Sequence, residues 1–508
     1  MTKNLSYIKI LSRCPSSRGA LSGHNGVNGS GIHLTRFMNN ASLSLLQQEQ
    51  NKSKARSPLR NSIHNYSTSS FSQGNNLYHE LASSMSMETQ HLIRSSLVSL
   101  INELADHTLP PISLDYLAAF NGVENIDSNK ALDRMLLESS NEALQNLLIL
   151  ICRRIKEFRK LPFIVVLNPN ISSIYKMYLE SLAKLLTFID EQKEIDNISF
   201  GGLRPLDFYS TFKITDMETN KLFCQNLSEI IDLHSNNLPI LSEGFKDISE
   251  FKFYESEELF LNTHLRERIL LRMICRHHIL LSQQVQESSG SIESIGLIEK
   301  NLNVINLVKA VSDFVGDLSS MKYDEKVPVI LDTTVTNSLK EVLKHDEFPL
   351  SKISEREVMI FPYISTHLEY ILQELLKNST RAHLENKVKD PIRISLVLCK
   401  NTGSPSILEI RIRDEGKGIP NKILSNLFKF SFTTVQDAVA DKSEQDENYS
   451  VFNNGANADD GANLIAGMGY GLPLSKIYAE MFGGDLKLQT YEGIGTDVYI
   501  TLKGPNFH

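Results

Sequence analysis

Four polar residues in the stretch Leu368–Ala382 are the best candidates for chemistry in this sequence. They recur at i, i+3, i+4 and i+7, which places them on one face of a helix: Glu374, Lys377, Asn378 and Arg381. A carboxylate, an amide and two cations could supply a base, a ligand for a hard cation and contacts to phosphate. On spacing alone, however, an exposed face of i,i+4 ion pairs is the favoured interpretation.

The other side of this predicted helix indicates what must position it. Its apolar residues repeat the same spacing roughly 130° further round the axis. They are Leu368, Ile371, Leu372 and Leu375. Residues 392–398 and 407–413 alternate between apolar and polar side chains, which predicts two paired strands. We therefore expect the helix to pack its apolar side on a sheet.

The second of these predicted strands ends at a carboxylate, that of Asp414. Asp414 is followed by Gly416 and Gly418, which would let the backbone pass close to a flat ligand. A carboxylate there could accept a hydrogen bond from an exocyclic amine such as that of adenine. Taken alone, Asp-x-Gly-x-Gly is also an ordinary turn sequence.

Two more glycine motifs follow along the chain. Gly467-Met-Gly-Tyr-Gly471 opens a predicted helix at residues 472–482, where backbone N–H groups and the helix dipole favour phosphate. Gly493-Ile-Gly-Thr496 lies in a predicted hairpin of residues 486–490 and 497–502. Its threonine offers a hydroxyl group near the purine ring of a ligand whose exocyclic amine binds Asp414. The first motif matches neither the P-loop lysine motif nor the dinucleotide fingerprint.

The N-terminal half differs from these segments in its hydrophobic periodicity. From about residue 77 to residue 325 the pattern is helical, with the clearest periodicity at residues 130–158, 170–189, 219–249 and 256–283. Long helices with short breaks predict a four-helix-bundle-like domain. Alternating strands and helices begin at about residue 326, so a second, α/β domain is expected at 326–508.

The N-terminal residues differ in charge from the rest of the chain. Residues 1–79 hold nine Lys or Arg and one acid, so the remainder must carry −16 to reach the overall −8. A basic, Ser-rich, acid-poor segment is typical of mitochondrial targeting, and residues 1–76 are expected to be a targeting and disordered leader. A nucleic-acid arm is disfavoured, because aromatic residues are not interleaved with the basic ones.

Other features argue against disulfide, metal-cluster and membrane functions. The 5 cysteines are scattered and odd in number, which suits a reducing compartment. His277 and His278 are neighbours that cannot share a helix face, so a packing or interdomain hydrogen-bonding role is expected for them. No apolar run approaches the about 20 residues of a transmembrane helix.

Together, in this order, the motifs of roughly residues 330–503 resemble the Bergerat ATP-binding domain shared by DNA gyrase, Hsp90, histidine kinases and MutL. The resemblance implies an α/β sandwich that binds ATP and Mg²⁺, with Asn378 as the Mg²⁺ ligand. It implies Glu374 as the general base, with Lys377 beside it, and residues 435–466 as the ATP lid. The implied nucleotide contacts are Asn378, Arg381, Asp414, Gly416, Gly418, Thr433, Thr434, Gly467, Met468, Gly469, Tyr470, Gly471, Leu472 and Thr496.

Beyond this domain, the chain resembles the mitochondrial protein kinases of 2-oxo-acid dehydrogenases, of the pyruvate and the branched-chain type. The similar segments are Glu374–Ala382, Phe430–Thr434, Gly469–Pro473, Gly493–Tyr499, Arg153–Phe163, Asn168-Pro169 and Arg272-Met273 followed by His277-His278. This resemblance implies phosphorylation of a serine on the E1α subunit in the mitochondrial matrix. It also implies docking to the lipoyl domain of the E2 core and a homodimer.

The sequence departs from the pyruvate-type pattern in several places. Tyr370 stands where those kinases carry a histidine, and this departure and the Gly493–Tyr499 ending lean toward the branched-chain type. The chain has 0 Trp, so docking through a Trp-bearing C-terminal tail is not expected. The lid and residues 190–218 are longer than expected. Pyruvate dehydrogenase is the expected substrate, and the branched-chain dehydrogenase is the alternative.

Two further functions compete with this interpretation. A protein-histidine kinase needs a phosphoacceptor histidine beside an acid, whereas Arg276 and Ile279 flank the histidine pair. A non-catalytic scaffold bound to the dehydrogenase core is disfavoured because Glu374, Asn378 and Asp414 are all in place.

Overall fold

The computed structural model describes residues 97–120, 129–192, 212–248, 254–286, 294–337, 342–350, 357–400, 405–430 and 470–506. These residues form two compact units: the first contains those of Met1–Leu109 and Leu137–Phe251, and the second those of Pro110–Leu136 and Lys252–His508. The leader and the lid predicted from the sequence lie outside the described residues. The predicted domain boundaries stay predictions.

The first unit is helical, as the periodicity predicted. In chain order the helices up to residue 248 are α1 (residues 97–105), α2 (Leu114–Leu117), α3 (Asn129–Lys160), α4 (Phe163–Val166), α5 (Pro169–Gln192), α6 (Met217–Leu233) and α7 (Asn237–Ile248). Of these, α2 and the start of α3 belong to the second unit. Helix α5 packs against α6 and α7. Buried side chains such as Leu147 and Leu182 form the core, each contributing about 1.5–3 kcal/mol.

The predicted helical span at residues 219–249 is divided in two. Helix α6 ends at Leu233, and α7 begins at Asn237. Between them, the buried imidazole of His234 lies 2.8 Å from Ser181 Oγ and 3.0 Å from Asn237 Nδ2. Pro239 in the first turn of α7 could not lie inside one continuous helix, and the His234 ring bridges polar groups on α5 and α7 at the break.

The second unit adds a six-stranded sheet to its helices. Its further elements are α8 (Tyr254–Gln286), β1 (Ser294–Ile295), β2 (Ile298–Glu299), α9 (Val304–Tyr323), β3 (Val329–Asn337), β4 (Val342–Pro349), α10 (Ser365–Asn386), β5 (Ile392–Lys400), β6 (Ile407–Asp414), α11 (Asn421–Leu424), α12 (Gly471–Glu480), β7 (Asp485–Tyr491) and β8 (Gly495–Lys503). The strand order is β4-β3-β5-β6-β8-β7, with β3 and β5 parallel and the other neighbours antiparallel. Helix α10 contacts α9, α12 and β6. The predicted class, helices followed by an α/β sandwich, is confirmed.

Strand β6 shows how the sheet divides its faces. Leu408, Ile410 and Ile412 point to the buried side and are at most 1% exposed. On the other side, Arg411 Nη2 donates to Asp497 Oδ2 of β8 at 2.7 Å. The register that this alternation fixes pairs Asp414 with Thr496, so two of the predicted motifs meet at the end of β6.

Smaller expectations can also be compared with the structure. Ser113 caps the N-terminus of α2, since Tyr116 N donates to Ser113 Oγ at 3.1 Å. The edge strand β4 was not predicted. Within the described ranges, no helix combines the length and the apolar character needed to cross a membrane.

Candidate active site

Helix α10 has the two sides that its spacing predicted. The four leucine and isoleucine side chains of the apolar side are at most 2% exposed. The polar side is not a solvated ion-pair face, because Glu374 is 9% exposed and Lys377 is half-buried. The exposed-face interpretation, which spacing alone favoured, is therefore wrong at Glu374.

Glu374 lies between two sources of positive potential. Its Oε1 forms an ion pair with Lys377 Nζ. On the other side, a Cβ placed on Gly471 would lie only 2.1 Å from its Oε2, so the first turn of α12 packs directly on the carboxylate. The N-terminal end of a helix carries the positive end of its dipole. The glycine predicted at the phosphate motif thus also makes room for the predicted base.

Asn378 lies one turn beyond Glu374 and is exposed, whereas Ser379 and Thr380 after it are 3% and 7% exposed. The amide oxygen of an exposed asparagine beside a buried carboxylate is suited to a hard cation. Arg381 is half-buried, and its Nε lies 3.6 Å from Glu385 Oε1 along the same helix.

Asp414 is 7% exposed at the end of β6. Its Oδ2 accepts from Ser379 Oγ at 3.2 Å and its Oδ1 from Gly416 N at 3.1 Å. Burial raises the pKa of this carboxyl above its ordinary value; hydrogen bonds from Gly416, Ser379 and the Thr496 N–H, and the nearby His383, act against that rise. The result is a fixed acceptor at the edge of the sheet.

The loop after Asp414 passes its neighbours at very short distance. A Cβ on Gly416 would lie 2.8 Å from Ala382 Cβ of α10. Gly418 has φ +68°, and a Cβ there would lie 2.1 Å from the carbonyl oxygen of Tyr491. Both predicted glycines are therefore required by close packing against protein atoms, and the predicted close approach to a flat ligand stays a prediction.

Thr496 is 8% exposed, and its Oγ1 lies 3.1 Å from Oγ1 of Thr490. Thr490 Oγ1 in turn accepts from Ile419 N at 2.9 Å. The two hydroxyls thereby connect the hairpin of β7 and β8 to the loop that follows Asp414.

The phosphate motif is described only in part. Tyr470 is fully buried, its ring 5.7 Å from that of Phe430, and its carbonyl accepts from Leu474 N at 3.0 Å. Leu472 is half-buried in the first turn of α12. Five of the predicted contacts lie outside the described residues: Thr433, Thr434, Gly467, Met468 and Gly469.

Three residues near the site were not predicted from the sequence. Ser379 contacts Asp414, His383 Nε2 accepts from Glu415 N at 3.0 Å, and Thr490 contacts the loop after Asp414. Ser379 and His383 are four residues apart on α10, and this helical spacing was the one signal that could have found them.

The histidine pair has the packing role that was expected. His277 Nδ1 accepts from Leu297 N at 3.2 Å, and its ring fills the space beside Gly296. Burial lowers the pKa of His277 to about 3 and that of His278 to about 4. Imidazoles buried in this way are not accessible to a phosphoryl donor, which argues against a phosphoacceptor role. Tyr370 is also buried, its ring 5.2 Å from that of Tyr478 in α12.

Two family models match separate parts of the chain. Residues 111–299 match the model described as mitochondrial branched-chain alpha-ketoacid dehydrogenase kinase. Residues 364–506, which include α10, β6 and α12, match the model described as histidine kinase-, DNA gyrase B-, and HSP90-like ATPase.

Individual relatives extend over both parts. The chain is 29% identical to pyruvate dehydrogenase (acetyl-transferring) kinase 1, mitochondrial, of Saccharomyces cerevisiae, over 84% of this chain and 92% of the yeast protein. It is 28% identical to isozyme 4 of that kinase from Rattus norvegicus, over 71% and 74% of the two chains. For the kinase of Arabidopsis thaliana the identity is 25%, over 77% and 89%. In both parts the chain is similar to mitochondrial 2-oxo-acid dehydrogenase kinases, and it is a protein kinase with an ATP-binding domain.

Proposed function

We propose that this kinase transfers the γ-phosphoryl group of ATP to a serine hydroxyl of the E1α subunit of pyruvate dehydrogenase. One observation supports the reaction above all others: the buried Glu374 carboxylate lies against the first turn of α12, one helical turn from the exposed Asn378. The relatives named as pyruvate dehydrogenase kinases support the choice of substrate.

Glu374 is proposed as the general base. It would take the serine proton as the serine oxygen bonds to the γ-phosphorus and the bond to the β-bridging oxygen breaks, releasing ADP. Lys377 and the start of α12 hold the carboxylate in place through the ion pair and the close contact at Gly471. A positioned base typically contributes about 10²–10⁴-fold to the rate.

Asn378 is proposed to hold Mg²⁺ against the phosphates. The exposed amide oxygen is a donor of the type Mg²⁺ accepts, and this ion is commonly held by one or two protein groups plus substrate phosphates. When bound, it would neutralise charge on the β- and γ-phosphates. Arg381 and the glycines of residues 467–471 are proposed as further phosphate contacts.

Asp414 is proposed to accept a hydrogen bond from the exocyclic amine of adenine, with Thr496 beside it. The support is that two main-chain N–H groups and the Ser379 hydroxyl hold the buried carboxylate in place at the end of β6. Gly416 and Gly418 let the loop after Asp414 pack closely on Ala382 and Tyr491, which fixes the strand end that carries the carboxylate.

Incubation of the purified chain and ATP with pyruvate and branched-chain E1α subunits, followed by mapping of phosphoserine, tests the substrate. Faster phosphorylation of the pyruvate E1α supports the proposal. Phosphate on the branched-chain subunit alone would favour the alternative suggested by the family model of residues 111–299. Acid-labile phosphate on this chain would instead indicate a histidine kinase.

The family also suggests where the chain works. We propose the mitochondrial matrix, docking to the lipoyl domain of the E2 core, and a homodimer. Co-sedimentation with the E2 core, with and without its lipoyl groups, tests docking. Analytical ultracentrifugation of the purified chain tests the dimer.

A further inference from the structure

Helix α10 has a third set of contacts, where its apolar side continues toward the C-terminal end of the helix. Ser379, Ala382 and His383 stand at i, i+3 and i+4. They meet the last residue of β6 and the next two residues of the loop: Ser379 contacts Asp414, His383 contacts Glu415 and Ala382 lies beside Gly416. One helix surface therefore contacts each of the residues 414–416 in turn.

The polar contacts of this surface are buried and complementary. Ser379 is 3% and His383 0% exposed. The serine hydroxyl donates to the Asp414 carboxylate, and the ring nitrogen Nε2 of His383 accepts from the Glu415 main-chain N–H. A neutral imidazole that accepts at Nε2 carries its proton at Nδ1.

We infer that Ser379 and His383 are positioning residues for adenine recognition, which orient the Asp414 carboxylate toward the exocyclic amine of ATP. Ser379 fixes one carboxylate oxygen and leaves that oxygen a second lone pair for the ligand. His383 fixes the next peptide, so the loop cannot rotate the carboxylate away. This inference rests on the proposed role of Asp414 and is independent of which E1α subunit is phosphorylated.

The test compares ATP with purine riboside triphosphate, which lacks the 6-amino group. In Ser379→Ala the Kd for ATP should rise about tenfold, because a hydrogen bond to a charged group is lost. The Kd for purine riboside triphosphate should stay within about twofold, because that ligand does not use the Asp414 contact. Ser379→Cys, which keeps a weak donor, should fall between the wild type and the alanine variant.

Thr380→Ala is the matched control. Thr380 is the next hydroxyl-bearing residue of α10, is 7% exposed and points about 100° away from Ser379. The Thr380→Ala variant should bind ATP and purine riboside triphosphate with the Kd values of the wild type. His383→Leu removes the acceptor for Glu415 N–H and should weaken ATP binding selectively, whereas His383→Gln, which keeps an acceptor, should restore it.

The outcomes separate the two ideas. If Asp414→Ala leaves ATP affinity unchanged, the proposed adenine role of Asp414 is wrong. If Asp414→Ala weakens ATP binding but Ser379→Ala weakens both nucleotides equally, or neither, the positioning inference is overturned while the role of Asp414 stands. Thermal unfolding of each variant reports whether the fold is intact.

Discussion

Replacing Gly471 by alanine should displace the carboxylate of the predicted base, Glu374, from its position in the site. The new Cβ would lie 2.1 Å from Oε2 and 3.0 Å from Cδ of Glu374, where ordinary contacts begin at 3.4 Å. The carboxylate must therefore move by about 1.3 Å, and a displacement of about 1 Å can lower a rate about 100-fold. Because the obstructing atoms end a flexible side chain, Glu374 should give way rather than α12.

We expect Gly471→Ala to fold normally and to show a kcat about 100-fold below that of the wild type, with the Kd for ATP changed by less than about threefold. Steady-state phosphorylation of E1α and calorimetric titration with ATP measure the two quantities. The control is Gly316→Ala on α9, where a Cβ meets only Lys326 Cδ at 3.8 Å. That variant should keep full activity and gain about 0.5–1 kcal/mol of stability. Wild-type kcat in a folded Gly471→Ala protein would refute the placement of Glu374 as the base.

The remaining predictions concern single groups. Glu374→Ala should abolish phosphoryl transfer yet bind ATP, so full kinase activity in that variant would remove Glu374 as the base. Asp414→Ala should act mainly by raising the Kd for ATP, with a smaller effect on kcat. In the wild type, acidification should weaken ATP binding at a higher pH than expected for an ordinary aspartate, because burial raises the pKa of Asp414, and nucleotide titration across pH can show this. Below pH 6.5 the unfolded chain protonates His277 and His278 while the folded chain does not, since burial lowers their pKa to about 3 and about 4. Between about pH 6 and about pH 4 the free energy of unfolding should thus fall by about 1.4 kcal/mol per histidine for each pH unit of acidification. Urea denaturation of wild type and His278→Gln measures this, and equal slopes would contradict it.

Local periodicity predicted the elements that carry the site. The two-sided α10, the pair β5 and β6, and the hairpin of β7 and β8 all follow from side-chain spacing of 3.6 or 2 residues. Strand β4 was missed because Lys344, Asp346 and Glu347 make its sequence polar on both sides, as an edge strand allows.

The site was harder to predict than the fold. Spacing shows that Glu374 and Lys377 share a face, but burial of that face depends on α12, which lies about 100 residues further along the chain. Ser379 and His383 were missed for a related reason. A serine and a histidine on a helix are ordinary residues until β6 brings Asp414 and Glu415 beside them.

The parallel pairing of β3 with β5 has a consequence for how the second unit folds. Parallel neighbours cannot be joined by a tight turn, and here the connection contains β4 and the whole of α10. The two strands can align only when α10 has been placed across the sheet, so contacts distant in sequence must form together. Substitutions on the apolar side of α10, such as Leu372→Ala, should therefore slow refolding and not merely speed unfolding. We therefore expect α10, which carries the predicted base Glu374, to belong to the folding nucleus as well. Substitutions in this part of the active site would then change the folding rate in addition to the activity.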